Sequence, residues 1–384
     1  MNFELNEEQE MARETAREFA EKRLKPFAQK FDEEEDIPPE VYAEAAELGF
    51  FGLMVPEEFG GLNLDAVGYV AVMEELARAC AAFQVCLSVH NSLVCGAIKN
   101  YGTAEQKTKY LPDLAAGKKI GAYSLSEPGA GSDAGSLICA AVKDGDHYVL
   151  NGVKNWVSSA GISDVFTVFV STDKEKKSYG ISCLLVDKGL EGFTVGKKEK
   201  KMGLRGSGTY EMSFKDCKVP AAALLGEEDA GFKIALGQLD SGRVGIAAQA
   251  VGVAQAAYEE AVSYARQREQ FGKHLTRFQA TQFKIADMAM GIDAARLLTY
   301  RAAAKVAKGE RATAEASMAK LFASQVANKT AYDAVQIHGG NGYVREFPVE
   351  RYFRDARISE IYEGTSEIQR IVIAREVLKQ FSGK

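Results

Sequence analysis

Cysteine and histidine are scarce in this chain and are never grouped: six cysteines and four histidines are spread over 384 residues, with no Cys-x-x-Cys pair. That argues against a zinc framework or a disulfide scaffold, and leaves the buried, reduced thiols of a cytoplasmic protein as the expectation. An excess of basic charge is also missing. A net charge of −6 gives no electrostatic reason to expect nucleic acid or an anionic membrane surface as a partner. No uninterrupted apolar span is long enough to cross a bilayer, and the acidic start, Met1-Asn2-Phe3-Glu4, has no apolar run behind it, unlike a secretory or transit peptide. No internal repeat is evident, and Trp156 is the single tryptophan. What is present is ordinary: 46% hydrophobic and 26% charged residues in a chain too long for one compact core, which suggests two or three domains.

Three patterns succeed one another. Residues 1–120 read as helical. The segment from Glu7 to Phe31 carries Met11, Phe19, Leu24 and Phe27 among charges, an amphipathic helix with an acidic outer face. Pro38-Pro39 starts a further helix, and Val67 to Ala79 and Phe83 to Tyr101 read as two more, with His90 in the core or at an interface. Residues 121–230 alternate on a period of two between Gly, Asp and Asn turns. Ile138 to Val142, Tyr148 to Leu150, Val165 to Val170 and Ile181 to Val186 predict an antiparallel barrel or sandwich. Residues 231–384 return to long, alanine-rich helical periods, at Arg243 to Gln267, Phe278 to Ala307, Ala314 to Ile337 and Ser366 to Gln380, the composition of a four-helix bundle. The fold class expected is mostly α with a central antiparallel β domain.

Five stretches can carry chemistry. In Ile361-Tyr362-Glu363-Gly364-Thr365-Ser366-Glu367, Thr365 or Ser366 caps a helix with apolar Ile368, Ile371, Val372 and Leu378. Glu363 just outside that helix start reads either as a surface carboxylate stabilising the dipole or as a general base between apolar neighbours. Tyr123-Ser124-Leu125-Ser126-Glu127-Pro128-Gly129-Ala130-Gly131-Ser132-Asp133-Ala134 contains a formal G-x-G-x-x-A, but a strand comes after it where a dinucleotide fold requires a helix. Its hydroxyls and backbone N–H groups still suit a cofactor. Asn155-Trp156-Val157-Ser158 offers a flat ring, for the core or for a ring cofactor. Asp240 and Arg243 share a helix face. Arg268-Glu269-Gln270-Phe271-Gly272 and Gln336-Ile337-His338-Gly339-Gly340-Asn341-Gly342 close two helices, the first with a cation at a turn and the second with more glycine than a plain cap requires. The run Lys197 to Lys201 reads as a solvated face.

Four of these, Ala122 to Asp133, Arg268 with Phe271-Gly272, Gln336 to Gly342 and Ile361 to Thr365, taken together in their order along the chain, closely resemble the acyl-CoA dehydrogenase family over essentially the whole chain, the short-chain or butyryl-CoA branch most of all. The resemblance implies a helical domain, a β-barrel and a four-helix bundle, with FAD as cofactor. Tyr123, Leu125, Ser126, Trp156 and Ser158 match positions around the flavin ring. Arg268, Gln270, Phe271, Gln279, Gln336, Gly339 and Gly340 match contacts to the phosphates and adenosine of an FAD bound mainly by a neighbouring subunit, which implies a homo-oligomer, usually a tetramer. Thr365 and Glu367 match further FAD contacts. Ser132, Asp240, Arg243 and Gly364 match contacts to the CoA substrate. Glu363 matches the base that removes the α-proton, the β-hydrogen leaving as hydride to the flavin, with a trans-2-enoyl-CoA as product and an electron-transfer flavoprotein as acceptor. No metal is implied.

Some relatives carry the base one residue before Arg243. Gly242 stands there in this chain, which leaves Glu363 without a rival. Val157-Ser158-Ser159 replaces a common Ile-Thr-Asn but keeps the hydroxyl, and the absence of an arginine near Gln84 speaks against a dicarboxylyl substrate. The expected substrate is a short acyl-CoA, with branched and cyclic chains among the candidates. An oxygen-using oxidase and a non-catalytic scaffold are the alternatives.

Overall fold

The computed structural model describes residues 4–382. Helix α1 (Glu7–Phe19) starts at a reciprocal capping box, the Asn6 side chain accepting from the Gln9 N–H and the Gln9 side chain from the Asn6 N–H, which satisfies two end donors at once. The expected single helix to Phe31 is interrupted by a π turn and by a 3-10 turn at Pro26, which has no N–H to give, before α2 (Ala28–Glu34). Phe19 and Leu24 are buried as the pattern predicts, whereas Met11 and Phe27 are exposed. Helix α3 (Pro39–Glu47) begins at its two prolines.

The two helices expected between residues 67 and 101 are one continuous rod. It comprises α4 (Ala66–Ser88), a π turn and α5 (Gly96–Tyr101), and non-helical torsions at Cys80 mark a kink rather than a break. Fused in this way, Ala66–Tyr101 is long and apolar enough to cross a bilayer, which the separate segments were not, but its most apolar window is wholly buried in the protein interior. The surrounding packing therefore accounts for its hydropathy. Buried His90 ties this rod to the chain between Leu114 and Gly121, Nδ1 accepting from the Gly121 N–H at 3.0 Å and Nε2 lying 3.2 Å from the Leu114 carbonyl. Leu114 belongs to α6 (Ala104–Ala115). All six cysteines are free and buried.

The sheet contains β1 (Gly121–Ser124), β2 (Ala140–Asp144), β3 (His147–Ser158), β4 (Val165–Ser171), β5 (Ile181–Asp187), β6 (Phe193–Lys198) and β7 (Thr209–Pro220). Its order is β1-β4-β2-β3-β7-β6, with β5 also paired to β4. Most pairs are antiparallel, as expected, but β1 and β2 each run parallel to β4, so the sheet is mixed. The cause is topological: the β2–β3 hairpin is inserted between β1 and β4, and the chain returns along the direction in which it left. Strand β2 starts at Ala140 rather than Ile138 because the N–H groups of Ile138 and Cys139 are taken by the Glu127 carboxylate. The lysine run is only partly solvated, Lys198 reaching the Glu35 carbonyl and Lys201 the Ser207 carbonyl.

Helix α7 (Gly231–Gln267) leads through a tight hairpin, β8 (Glu269–Gln270) and β9 (Lys273–His274), to α8 (Gln279–Ala307), α9 (Thr313–His338), α10 (Val349–Arg357) and α11 (Ser366–Ser382). Helices α7 and α9 run parallel: Asp240 accepts from the Thr313 hydroxyl near their starts, and Tyr264 stacks on His338 at 4.2 Å near their ends. Helix α8 is antiparallel to α9, pinned by Lys284–Asp333 at one end and Lys305–Glu315 at the other. Buried alanines at 247, 254, 261, 316, 323, 327 and 334 let these axes approach closely. On α11, Val372 is buried but Ile371 and Leu378 point outward, so its apolar residues do not form one inward stripe.

Candidate active site

Thr365 opens α11, its hydroxyl oxygen accepting from the Ile368 N–H at 3.3 Å. Immediately before it Glu363 and Gly364 both have left-handed backbones (φ 51° and 92°), a conformation that costs a non-glycine residue energy and is found where function over-determines it. Two buried side chains hold this turn. Gln369 Nε2 donates to the carbonyls of Glu363 (3.1 Å) and Gly364 (3.0 Å), and Lys320 Nζ donates to the Gly364 carbonyl at 2.7 Å.

The turn aims the Glu363 carboxylate inward. Its Oε2 is sealed from solvent and has no hydrogen-bond partner among the described residues, although the residue as a whole keeps some exposed surface. It lies directly on Gly242: a Cβ there would be 2.2 Å from Oε2 and 2.9 Å from Leu93 Cδ2. Burial pushes the carboxyl up to about 7, against the opposing pull of the Lys320 and Arg243 charges. The phenols of Tyr69, Tyr123 and Tyr362 are all raised, chiefly by burial, and the Glu363 charge adds to each. Arg243 is buried one residue beyond Gly242. It donates to Asp240 Oδ1 at 3.1 Å, while its Nε has no partner.

Strand β1 brings Tyr123 to the same place, at the head of a second set. Tyr123 packs on Phe169 with ring centroids 5.0 Å apart, and its hydroxyl, like that of Ser124, is buried without a partner. Leu125 and Ser126 come next on a loop tied to β3 by the Asn155 N–H, which donates to the Ser126 carbonyl at 2.9 Å. Beneath that loop Lys154 and Glu127 form an ion pair at 2.7 Å with both side chains almost wholly out of water. Trp156 sits in the irregular register between β3 and β7, with φ 62° and 62% of its surface exposed. A large ring held outward by a strained backbone is not core packing. Ser158, half-buried, ends the strand, and Asn155 Oδ1 is another buried atom without a partner.

The remaining predicted residues lie further out. Ser132 is exposed on the glycine loop, which stands over the start of α7: a Cβ on Gly135 would lie 3.8 Å from Phe232. Arg268, Gln270, Phe271, Gln279, Gln336, Gly339 and Gly340 are all exposed, Phe271 by 94%. The Tyr264–His338 stack gathers the ends of α7 and α9 that carry them. This end is remote from the buried carboxylate, because Arg268 lies 26 residues beyond Gly242 along α7, about 39 Å at the helical rise. The structure therefore brings Glu363, Gly364, Arg243, Asp240 and Tyr123 together, and leaves the Arg268 set at the far end of the bundle. Glu367 is exposed at the start of α11.

Sequence reasoning missed Lys320, Gln369 and the Lys154–Glu127 pair. Lys320 had a visible signal, a cation in the alanine row Ala316, Ala319, Ala323 and Ala327 of α9. The other two are set by distant contacts.

Helices flank a mixed sheet that presents an exposed indole and unpartnered polar atoms, surfaces a flat ring cofactor can use, and the buried Glu363 carboxylate lies near Tyr123 of that sheet. The comparisons with known proteins agree. Models of the acyl-CoA dehydrogenase N-terminal, middle and C-terminal domains match residues 6–118, 122–217 and 229–378. The short-chain specific acyl-CoA dehydrogenase of Bos taurus is 49% identical over 99% of this chain and 92% of its own length. Butyryl-CoA dehydrogenase from Megasphaera elsdenii superposes with a TM-score of 0.97 at 44% identity, covering 98% of this chain and all of its own. A chain in the structure of the electron transferring flavoprotein of Acidaminococcus fermentans matches with a TM-score of 0.97 at 45% identity, over 99% of this chain and 100% of that one. This chain belongs to the acyl-CoA dehydrogenase family, oxidoreductases that act on CH–CH donors with FAD as cofactor. The residues present fit that group: unpartnered polar atoms at Tyr123, Ser124 and Asn155 are free to meet it, and Trp156 offers it a face.

Proposed function

We propose that this chain dehydrogenates a short-chain acyl-CoA to the trans-2-enoyl-CoA, with Glu363 as the base that takes the α-proton. One observation carries the reading: the Glu363 carboxylate has one oxygen, Oε2, sealed and without a partner among the described residues, and it is pushed up to about 7. A carboxylate in a salt bridge has its lone pairs occupied, whereas this one is open to a proton and poised near neutral pH. Substrate seated over Gly242 completes the exclusion of water. The resemblance assigns the Glu363 N–H to the developing enolate oxygen, and the Lys320 and Gln369 contacts hold the two peptides that follow it in the turn. Bound FAD supplies the acceptor for the β-hydride. Tyr123, Leu125, Ser126, Trp156 and Ser158 orient the ring, Thr365 and Glu367 meet the cofactor at the start of α11, and Ser132, Asp240, Arg243 and Gly364 receive the thioester and its CoA portion.

Short-chain preference is supported by the names of the relatives. A homo-oligomer, a tetramer by resemblance, is supported by the separation of about 39 Å between Gly242 and Arg268, farther than one dinucleotide reaches. The Arg268, Gln270, Phe271, Gln279, Gln336, Gly339 and Gly340 group then serves a neighbour's FAD. Phe283, Met290 and Leu297, spaced by seven on α8 and all exposed, suit burial against another copy. Electrons pass to an electron-transfer flavoprotein, and the chain works in the cytoplasm. The test is anaerobic bleaching of bound flavin by straight, branched and cyclic acyl-CoAs. Fastest bleaching with a short straight chain is expected, and no bleaching with any of them would defeat the reading.

A further inference from the structure

Lys320 is an ammonium with no exposed surface at all, set in the alanine row of α9. Such a charge is costly to bury and persists only where its surroundings use it. It has three donors, and one of them goes to the Gly364 carbonyl at 2.7 Å. No carboxylate lies within ion-pair distance of it, among the described residues. Several groups face Glu363: Lys320 from α9, Arg243 from α7, Tyr123 from β1, Tyr69 from α4 and Tyr362 from its own loop. Glu360 and Glu367 also act on Lys320, together with Arg243. The two cations differ in kind. Arg243 is offset by Asp240 at 3.1 Å, whereas Lys320 is fastened to a neutral carbonyl and keeps its charge uncompensated at contact range.

We propose that Lys320 is the positioning residue of the base: fastened to the Gly364 carbonyl, it fixes the turn that carries Glu363 and supplies, through space, the positive charge that keeps the carboxylate ionised without occupying its lone pairs. The inference rests on Glu363 being the base. Direct contact would lower the carboxyl too far and tie up the oxygen that must take the proton. A cation held one residue away by a backbone carbonyl balances the charge and leaves that oxygen free. Burial lowers the amine to about 8, so Lys320 is still charged at the pH where Glu363 begins to ionise.

The test uses the FAD-loaded enzyme with Lys320→Met and Lys320→Gln, and Glu363→Gln as the blank. Two quantities are measured across the neutral and alkaline range: anaerobic flavin bleaching by butyryl-CoA, and the dissociation constant of a non-oxidisable thioether analogue. In both variants the rising limb of bleaching should move alkaline by about one pH unit or more, so that the rate at neutral pH falls about fivefold or more and recovers at high pH. The limb in analogue binding should move with it. An unmoved limb, or an equal loss at every pH, would overturn the proposal, since that is what a purely structural lysine gives. Loss of flavin from both variants would overturn it as well, by making Lys320 a folding residue. Bleaching of Glu363→Gln at the wild-type rate would instead remove the base assignment beneath it, a result distinct from the others.

Discussion

Replacing Gly242 by alanine adds a methyl group at the point where the base rests. Its carbon would lie 2.2 Å from Glu363 Oε2, where ordinary contact begins at 3.4 Å, so the carboxylate must retreat by about 1.2 Å. Both atoms in the way, Oε2 and Leu93 Cδ2, are ends of flexible side chains. Folding is therefore spared, and alanine in the middle of α7 should even stabilise the helix by about 0.8–1 kcal/mol. The chemistry is not spared. A misplacement of about 1 Å of a reacting group costs on the order of 100-fold, or about 2.7 kcal/mol of barrier. Stopped-flow bleaching by butyryl-CoA, run beside thermal unfolding, reads both effects: Tm should hold or rise while the bleaching rate falls about 100-fold. Gly291→Ala is the control, because a Cβ there meets only Val326 at 3.4 Å, and it should leave the rate alone. Wild-type bleaching by Gly242→Ala would show that the carboxylate does not work from this position.

Because the folded carboxyl sits near 7, above its ordinary value, bleaching should climb with pH through about 7 in the free enzyme, and a pH series of single turnovers checks this. The same raised value means that ionising Glu363 in the folded state costs stability: its contribution is greatest below its unfolded pKa and is lost as pH rises through 7. Trp156→Ala should loosen FAD about fivefold, the loss of a ring contact of order 1 kcal/mol, and barely change the melting of the cofactor-free chain, since the indole is mostly exposed; flavin retention on dialysis reads it. Lys154→Met leaves Glu127 charged and buried, so urea unfolding should show a loss of about 3–5 kcal/mol, with flavin retention falling as the Leu125–Ser126 loop loosens.

Much of the fold was legible because the period of hydrophobicity changes along the chain. Short apolar runs between turn residues mark the strands at Val165 and Ile181, which are buried on both faces, and alanine-rich helical repeats mark α7 to α9. What stayed hidden depends on contacts between distant segments. The kink at Cys80 joins two expected helices because the rod is buried along most of its length and no solvent-facing turn is needed there. The parallel pairing of β1 with β4 results from an inserted hairpin, which no local pattern announces. In the site, Glu363 was visible as a carboxylate at a helix start, but its two readings could not be separated from the stretch alone. The structure separates them through Gly242, 121 positions earlier in the chain, on which the carboxylate rests. Trp156 was visible as a lone ring, but the left-handed backbone that turns it outward was not. Lys320 stood in plain view within an alanine row, yet its role becomes readable only when the Gly364 carbonyl is placed beside it.

The central claim is that Glu363 removes the substrate proton, and Glu363→Gln tests it most directly. The variant keeps shape and loses basicity, so it should hold FAD and bind butyryl-CoA with the usual spectral change. Its anaerobic bleaching should be slower by about 100- to 10,000-fold, the worth of a positioned general base. Bleaching at the wild-type rate, with FAD and ligand bound, would contradict the account.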